Sequence, residues 1–206
     1  NYTMIHRWGP SFHVRPRTGI VLEEGAMVSY NYVLLGPVGS FQSKPSARLE
    51  GEGAAISMSN IIYLDGSSRM DMGGDCLIAG RGGRAELTTS AVALDRAKLT
   101  MRGRIECEAD DGRGHISCRG LMLSDEAEIY TIPELISRRM NASLTHEAAI
   151  GRISEDQLIY LMSRGFSREE AESLIVRGFL DISPLNLPSF LEESIKKIID
   201  LAVKGF

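Results

Sequence analysis

Short alternating segments recur along most of the first two thirds of the chain. In each one except the imperfect copy at Ser40, a small residue is followed two places later by an apolar residue, and Gly, Asp, Ser or Asn closes the segment. Successive segments start 12 to 17 residues apart, at Ala26, Ser40, Ala54, Ser68, Ala85, Ala97, Gly114 and Ala127. This alternation, with its closing turn residues, predicts a series of brief β-strands joined by tight turns.

The spacing of these strands also bears on how they are arranged. A single brief strand cannot bury a face by itself, whereas a stack of such units in a solenoid does bury one. The pattern therefore favours a mainly β fold built as a parallel β-helix over a sandwich built from long hairpins. An antiparallel meander or a jelly roll remains an alternative, because strand periodicity does not report how strands are connected.

The pattern changes from strand to helix after residue 151. Capping boxes, which pair a hydroxyl at a helix start with an acidic or amide side chain three residues later, begin at Ser154, Ser167 and Ser189. Apolar residues follow each of them at helical spacing. They are Leu158, Leu161 and Met162, then Ala171, Leu174 and Ile175, and finally Phe190, Leu191, Ile195, Ile198 and Ala202. These signals predict three amphipathic helices.

Breaker residues set the limits of these helices. Gly165 and Gly178 suit helix ends, and Pro184 and Pro188 confine the linker between the second and third helices. We therefore expect a β-helix core over residues 1–151 and a small C-terminal α-helical domain over residues 152–206.

Composition narrows the class of protein. With 43% hydrophobic and 24% charged residues, the 206-residue chain falls in the ordinary globular range. Its formal charge of −4 gives no basic field for nucleic acid, and no apolar run approaches the roughly 20 residues of a membrane span. We therefore expect a cytoplasmic protein that binds neither nucleic acid nor a membrane. The chain starts at Asn1, and a strand pattern follows almost at once, so we expect a missing N-terminal portion.

Three cysteines supply the first candidate chemistry. Cys76, Cys107 and Cys118 form no C-x-x-C pair, and an odd number argues against a disulfide framework, so reduced thiols are expected. Cys118 lies near Arg113 and Arg119, whose charges favour a thiolate, which is both a nucleophile and a soft metal ligand. Burial in the core is the competing interpretation for Cys118 and the preferred one for the other two.

The adjacent pair His146 and Glu147 lies just before the change from strand to helix, where both side chains can face a metal. A polar pair without function is the alternative. A zincin H-E-x-x-H motif is excluded, because Ile150 occupies the position of the second histidine. The sequence also has no G-x-x-x-x-G-K-[ST] loop and no G-x-S-x-G elbow. ATP hydrolysis is therefore expected of a partner, and we expect this chain not to be an enzyme.

The C-terminal third of the chain is similar to a known family. Its segments 144–153 and 156–165 resemble the hallmark region of SufB and SufD iron-sulfur cluster assembly proteins, and segments 167–171 and 174–180 resemble that family's second helix. The likeness is dense from residue 115 to 182 and patchy before it. Some positions are closer to SufB and others to SufD, a mixture that suits the short archaeal-type members of the family.

The resemblance implies a right-handed β-helix that dimerises through its end, as a homodimer or as a SufB/SufD-type heterodimer. It also implies C-terminal helices that dock a SufC-like ABC-type ATPase, with a cysteine desulfurase or another donor supplying sulfur. The family's site residues fall on Cys118, His146 and Glu147. These would hold a nascent iron-sulfur cluster, expected to be of the 4Fe–4S type, transiently at the dimer interface.

Two other functions remain open at this point. One is a cluster-free partner subunit of the SufD type, which binds the ATPase through residues 152–206. The other is a carbohydrate-active β-helix enzyme, which would use carboxylates and an arginine; the candidates for that chemistry are Asp65, Asp71, Asp75 and Arg69. The second alternative explains the solenoid but not the helical tail.

Overall fold

A computed structural model describes residues 1–185 and 187–203 as two parallel β-sheets followed by helices. Sheet A has six strands in the order β1 (Tyr2–His6), β4 (Met27–Leu35), β7 (Ala55–Leu64), β9 (Arg84–Ala93), β11 (Arg113–Met122) and β13 (Ser143–Arg152). Sheet B contains β2 (Gly9–Val14), β3 (Gly19–Leu22), β5 (Val38–Ser43), β6 (Ser46–Leu49), β8 (Arg69–Ile78), β10 (Lys98–Cys107) and β12 (Glu128–Ser137).

Successive units of the sequence repeat fall on opposite sheets, so two units make one turn of a solenoid. The units that start at Ala26 and Ala54 lead into β4 and β7 of sheet A, whereas those at Ser68 and Ala97 lead into β8 and β10 of sheet B. Every strand pairing in the part of the chain that the structure describes is parallel. The predicted parallel β-helix is confirmed, and the antiparallel alternative is excluded.

The inward faces of the two sheets form one continuous apolar core. Because side chains alternate across a strand, every second residue points inward, and these positions carry buried Leu, Ile, Met and Ala on each turn. A few inward positions are polar. Asn60 of β7 donates a hydrogen bond from Nδ2 to Oγ1 of Thr89 on the next turn, at 3.0 Å. Both side chains are buried, so this bond satisfies groups that water cannot reach.

Helices α1 (Glu155–Ser163), α2 (Arg168–Phe179) and α3 (Ser189–Val203) follow the solenoid, with a short 3₁₀ turn at Ser183–Leu185. They supply a second core, in which residues of α2 and α3 pack against the outer face of sheet A. Val176 and Ile195 are fully buried there, against Val33 and Val92 of the sheet. The helical segment is therefore held to the solenoid by apolar contacts.

The three predicted helix starts are confirmed, but only one capping box forms as predicted. Ser167 accepts a hydrogen bond from the backbone N–H of Glu170, whose carboxylate in turn accepts one from the N–H of Ser167. Ser154 precedes α1 without a side-chain cap, and Ser189 is itself the first residue of α3. Gly165, at φ +99°, follows the end of α1 as predicted.

The predicted apolar helix faces are only partly buried. Leu158, Ala171 and Ile195 are buried as expected. Met162, Leu174 and Phe190, which belong to the predicted apolar faces, are exposed by 43%, 45% and 66%. The side chains of Ile198 and Ala202 lie outside the described residues. The helices thus keep an apolar surface that the solenoid does not cover.

Ion pairs between successive turns cover the outer face of sheet B. In a parallel stack, identical positions of neighbouring turns lie about 4.8 Å apart, so opposite charges at those positions meet. The pairs are Lys98 with Glu128, Arg102 with Asp71, and Arg104 with Asp75, at N–O distances of 2.6, 2.6 and 3.1 Å. Lys98 with Glu128 and Arg104 with Asp75 are direct register partners, whereas Arg102 reaches diagonally to Asp71, and these pairs stabilise the contact between neighbouring turns.

Glu106 at the edge of this network should make the stability depend on acid pH. Hydrogen bonds from Arg138 and Arg104 hold the pKa of its carboxyl below the ordinary value of 4.5. A carboxyl with a lowered pKa stabilises the folded state above its unfolded pKa, and that contribution is lost as the pH falls through the folded pKa. We expect Glu106→Gln to flatten the decline in urea midpoint below about pH 4.5.

The matched control for that measurement is Glu50→Gln. Glu50 pairs with Arg48 at 3.1 Å on the surface, where an ion pair contributes little. This control should decline with pH as the wild type does. An unchanged acid decline in Glu106→Gln would contradict the assignment.

Candidate functional site

The last strand of each sheet forms one end of the solenoid, which we call the open end. β13 ends sheet A and β12 ends sheet B, so one side of each strand carries backbone groups without a strand partner among the described residues. Ile129 of this last turn faces inward and is buried, but the other inward-facing side chains of the turn are only half-buried or exposed. They are Thr131, Pro133 and Leu135 of β12, and Leu144, His146, Ala148 and Ile150 of β13.

Cys118 lies one strand inside the open end. It belongs to β11, points into the core and is 3% exposed. In register, it lies beside Thr89 of β9 and Ala148 of β13, so only the last strand separates it from the open end. Cys76 and Cys107 are both fully buried, as expected for core cysteines; Cys76 lies two strands inside the open end on β8, and Cys107 lies one strand inside it on β10, beside Ser137 of β12.

The predicted stabilisation of a Cys118 thiolate by neighbouring arginines is wrong. Alternation along β11 points Arg113 and Arg119 outward, on the face opposite the thiol. Arg119 donates hydrogen bonds to Oγ of Ser90 and stacks on the Phe179 ring of α2 at 5.7 Å. Burial raises the pKa of the Cys118 thiol, and the Thr131 hydroxyl lowers it in part. The resting side chain is therefore a neutral thiol.

Thr131 is a site residue that the sequence analysis missed. A Cβ atom added to Gly120 would lie 3.0 Å from Cγ2 of Ile129, so these two positions face each other across the interior. Cys118 lies two residues before Gly120 on β11, and Thr131 lies two residues after Ile129 on β12. These two residues therefore also face each other. The Thr131 hydroxyl oxygen is buried and has no well-formed hydrogen bond. A buried hydroxyl without a well-formed hydrogen bond costs stability. The Thr131 hydroxyl can therefore form a hydrogen bond with a group that is bound to the Cys118 sulfur.

We expect Thr131→Val to stabilise the chain by about 1 kcal/mol, because it replaces an unsatisfied hydroxyl by a methyl group of the same shape. Urea unfolding measures this difference in free energy. Thr89→Val is the control, since Oγ1 of Thr89 accepts from Asn60 and its loss leaves a buried amide unpaired. That control should lose about 1 to 3 kcal/mol. Equal destabilisation by both substitutions would contradict the prediction.

The structure places His146 and Glu147 on opposite faces of β13. His146 is in register with the buried Ile116, faces the interior side and is exposed at the open end. Glu147 faces outward, where its Oε1 accepts a hydrogen bond from Ser117 at 2.9 Å and lies 3.9 Å from Nε2 of His115. Adjacent residues of a strand cannot share a face. Within one chain, His146 therefore accompanies Cys118 and Glu147 does not.

The described residues of one chain do not form a complete metal site. Among residues 1–185 and 187–203, no three His, Cys, Asp or Glu side chains are arranged to hold a metal ion. Two of the four residues considered for a carbohydrate-active enzyme form ion pairs. Asp71 and Asp75 pair with Arg102 and Arg104 between turns, on the outer face of sheet B. Their charges serve the stacking of the solenoid.

Comparison with known proteins shows the family of the chain. Residues 1–179 match the family described as "SUF system FeS cluster assembly, SufBD core domain". The chain belongs to the SufBD family. It is 45% identical over 202 residues to an iron-sulfur cluster assembly SufBD family protein of Archaeoglobus fulgidus, with 98% of this chain and 54% of that protein covered. The resemblance of the C-terminal third to this family is thereby confirmed.

Other SufBD relatives come from archaea and bacteria. A SufBD family protein of Methanothermobacter thermautotrophicus is 40% identical over 204 residues, covering 99% of this chain and 50% of that protein. The iron-sulfur cluster assembly protein SufB of Bacillus subtilis is 29% identical over 208 residues, covering 99% and 44%. The SufBD chain thus spans about half the length of these relatives. Of the helices described, none is long and apolar enough to cross a bilayer.

Proposed function

We propose that this SufBD chain is a scaffold subunit on which an iron-sulfur cluster is built and from which it is transferred. The observation that carries the proposal is that Cys118 and His146, a soft thiol and an imidazole, both face the interior of the solenoid on its last two strands of sheet A. Thiolates are the usual ligands of such clusters, and imidazole substitutes for them in some. The cluster is cargo here, and the chain itself is not an enzyme.

A second chain at the open end would complete the ligand set. One chain offers few thiols there, since Cys118 lies one strand inside the open end and Cys107, equally close on the other sheet, is fully buried, whereas cluster ligation commonly takes four protein ligands. Two ten-residue strands with unpaired edges form a template for association with another chain. A two-fold contact would bring Cys118, His146 and Glu147 to one interface twice. The partner is a second copy or a SufB/SufD-type paralogue, and the cluster is of the 4Fe–4S type.

The C-terminal helices are proposed to dock a SufC-like ABC-type ATPase. Their apolar surface supports this role, because exposed apolar side chains on a small helical unit mark an interaction surface. These side chains are Ile159, Tyr160, Met162, Phe166, Leu174 and Phe190. The ATPase would drive conformational change by hydrolysis, and a cysteine desulfurase or another donor would supply sulfur. A cytoplasmic location agrees with three free cysteines.

Anaerobic reconstitution with ferrous iron, sulfide and a thiol reductant tests the scaffold role. Wild-type protein should gain the visible absorption of an iron-sulfur cluster, and Cys118→Ala should lose most of it, because the thiolate at the open end is removed. Cys76→Ala is the control, since Cys76 is fully buried away from that end. Equal cluster absorption in wild type and Cys118→Ala would refute the ligand assignment.

The alternative is a cluster-free structural subunit of the SufD type. It predicts a colourless protein after the same reconstitution, while residues 152–206 still bind the ATPase. Optical spectra and ATPase binding, measured on one preparation, separate the two functions.

A further inference from the structure

The outer face of sheet A carries a groove that the scaffold role does not use. It has a volume of about 600 Å³ and crosses β4, β7, β9, β11 and β13 near their N-terminal ends, on the side opposite Cys118. This size falls within the range of small-molecule sites. The side chains that line it include Met27, Ser29, Ser57, Arg84, Glu86, Arg113, His115 and Thr145. We call it the outer groove.

Two arginines of the outer groove occupy neighbouring positions on adjacent strands, and neither forms an ion pair with a carboxylate of the described residues. Arg84 and Arg113 are register partners on β9 and β11, so their backbones lie about 4.8 Å apart. Both are exposed, and no carboxylate of the described residues lies within 4.0 Å of either guanidinium. Like charges placed directly opposite each other on neighbouring strands are destabilising. The stacking of the solenoid gains nothing from this pair.

The contrast with sheet B shows what is unusual here. On that sheet, Lys98, Arg102 and Arg104 each form an ion pair with a carboxylate of a neighbouring turn, although Lys98 is also in register with Arg69. In the outer groove the equivalent neighbour of Arg84 is another arginine. Glu86, two residues along β9, faces the groove but forms no ion pair with either guanidinium among the described residues.

The donors around the arginines define the chemistry of a ligand. Each guanidinium offers a planar fork of N–H groups that matches the two oxygens of a phosphate or a carboxylate. Ser57 and Ser29 add hydroxyl groups to the groove lining. His115 donates or accepts at Nδ1 with Oγ1 of Thr145, 2.8 Å away, which orients the imidazole beside the groove. Glu86 adds one acceptor for a hydroxyl or amine of the ligand.

We propose that the outer groove binds a small organic anion, whose phosphate or carboxylate group lies between Arg84 and Arg113. Its polar remainder then extends along the hydroxyl groups toward Glu86. The site is on the other face of sheet A from Cys118, so it does not depend on the scaffold role.

Calorimetric titration of the full chain tests this site, with sodium pyrophosphate and sodium citrate as separate probes at constant ionic strength. At least one probe should bind saturably. The double variant Arg84→Gln/Arg113→Gln should weaken that binding by about tenfold or more, because both bidentate contacts are lost. Tighter binding of pyrophosphate assigns a phosphoryl ligand, and tighter binding of citrate assigns a carboxylate ligand.

Arg48→Gln is the matched control, because Arg48 is an exposed arginine outside the groove and pairs with Glu50. It should bind the probe as the wild type does. The proposal would be overturned if neither probe bound saturably up to about 10 mM, since the dissociation constant would then exceed that concentration. Equal affinity in the wild type and the double variant would also overturn it.

Discussion

Gly73→Ala should destabilise the solenoid by about 3 kcal/mol, the upper end of the usual cost of overpacking. Gly73 lies in β8 and is the register partner of Arg102 in β10. A Cβ atom at this position would lie 1.8 Å from the backbone carbonyl oxygen of Arg102, so the turns must move apart. The backbone cannot rotate away as a side chain would, and the parallel pairing of β8 with β10 is weakened. Urea unfolding followed by circular dichroism measures the loss.

Gly151→Ala is the matched control for that substitution. Gly151 also lies in a strand, β13, but an added Cβ atom there meets no other atom within 4 Å. We expect the control to change the unfolding free energy by less than about 0.5 kcal/mol. If both variants unfold at the same urea concentration, close contact between the turns at Gly73 does not limit the stability.

Ala148→Lys should convert the proposed dimer into a monomer. Ala148 is exposed on the interior-facing side of β13 and lies next to Cys118 in register. At a two-fold interface each new lysine is repeated on the partner, so like charges meet where water is excluded. Such repulsion costs several kcal/mol, which corresponds to about a hundredfold or more in the dimer Kd. Light scattering after gel filtration measures the mass of each variant.

Ala149→Lys controls for the added charge. This residue follows Ala148, is equally exposed and points to the outer face of sheet A, away from the open end. The control should keep the mass of the wild type. A dimer that persists in Ala148→Lys would show that the chains associate elsewhere.

The periodicity of the sequence favoured the solenoid but did not exclude an antiparallel arrangement, because it does not report how strands are connected. Small residues such as Ala54 and Ala85 recur where each turn begins a new strand, and stacking is the arrangement that buries the apolar residue two places on. The sequence also predicted the helix starts at Ser154 and Ser167. The sequence did not predict that Met162 and Leu174 are exposed. Helical spacing identifies an apolar face, but it does not show whether a partner or the protein's own core covers that face.

The candidate site was less predictable, for a reason specific to strands. Whether Cys118 points inward and Arg119 outward depends on the parity of β11, which a one-residue change of register would reverse. The same parity separates His146 from Glu147. Thr131 could have been found only by counting inward positions back from Pro133 and assuming the solenoid. The role of these residues came from family resemblance, since the pattern alone also fits an ordinary core cysteine.

The iron and acid-labile sulfide bound per chain give the most direct test of the central claim, that two chains build one cluster at the open end. After anaerobic reconstitution, the wild-type dimer should hold about two iron and two sulfide per chain, the content of one shared 4Fe–4S cluster. Monomeric Ala148→Lys and dimeric Cys118→Ala should both hold close to none. Full iron and sulfide content in either variant would contradict the account.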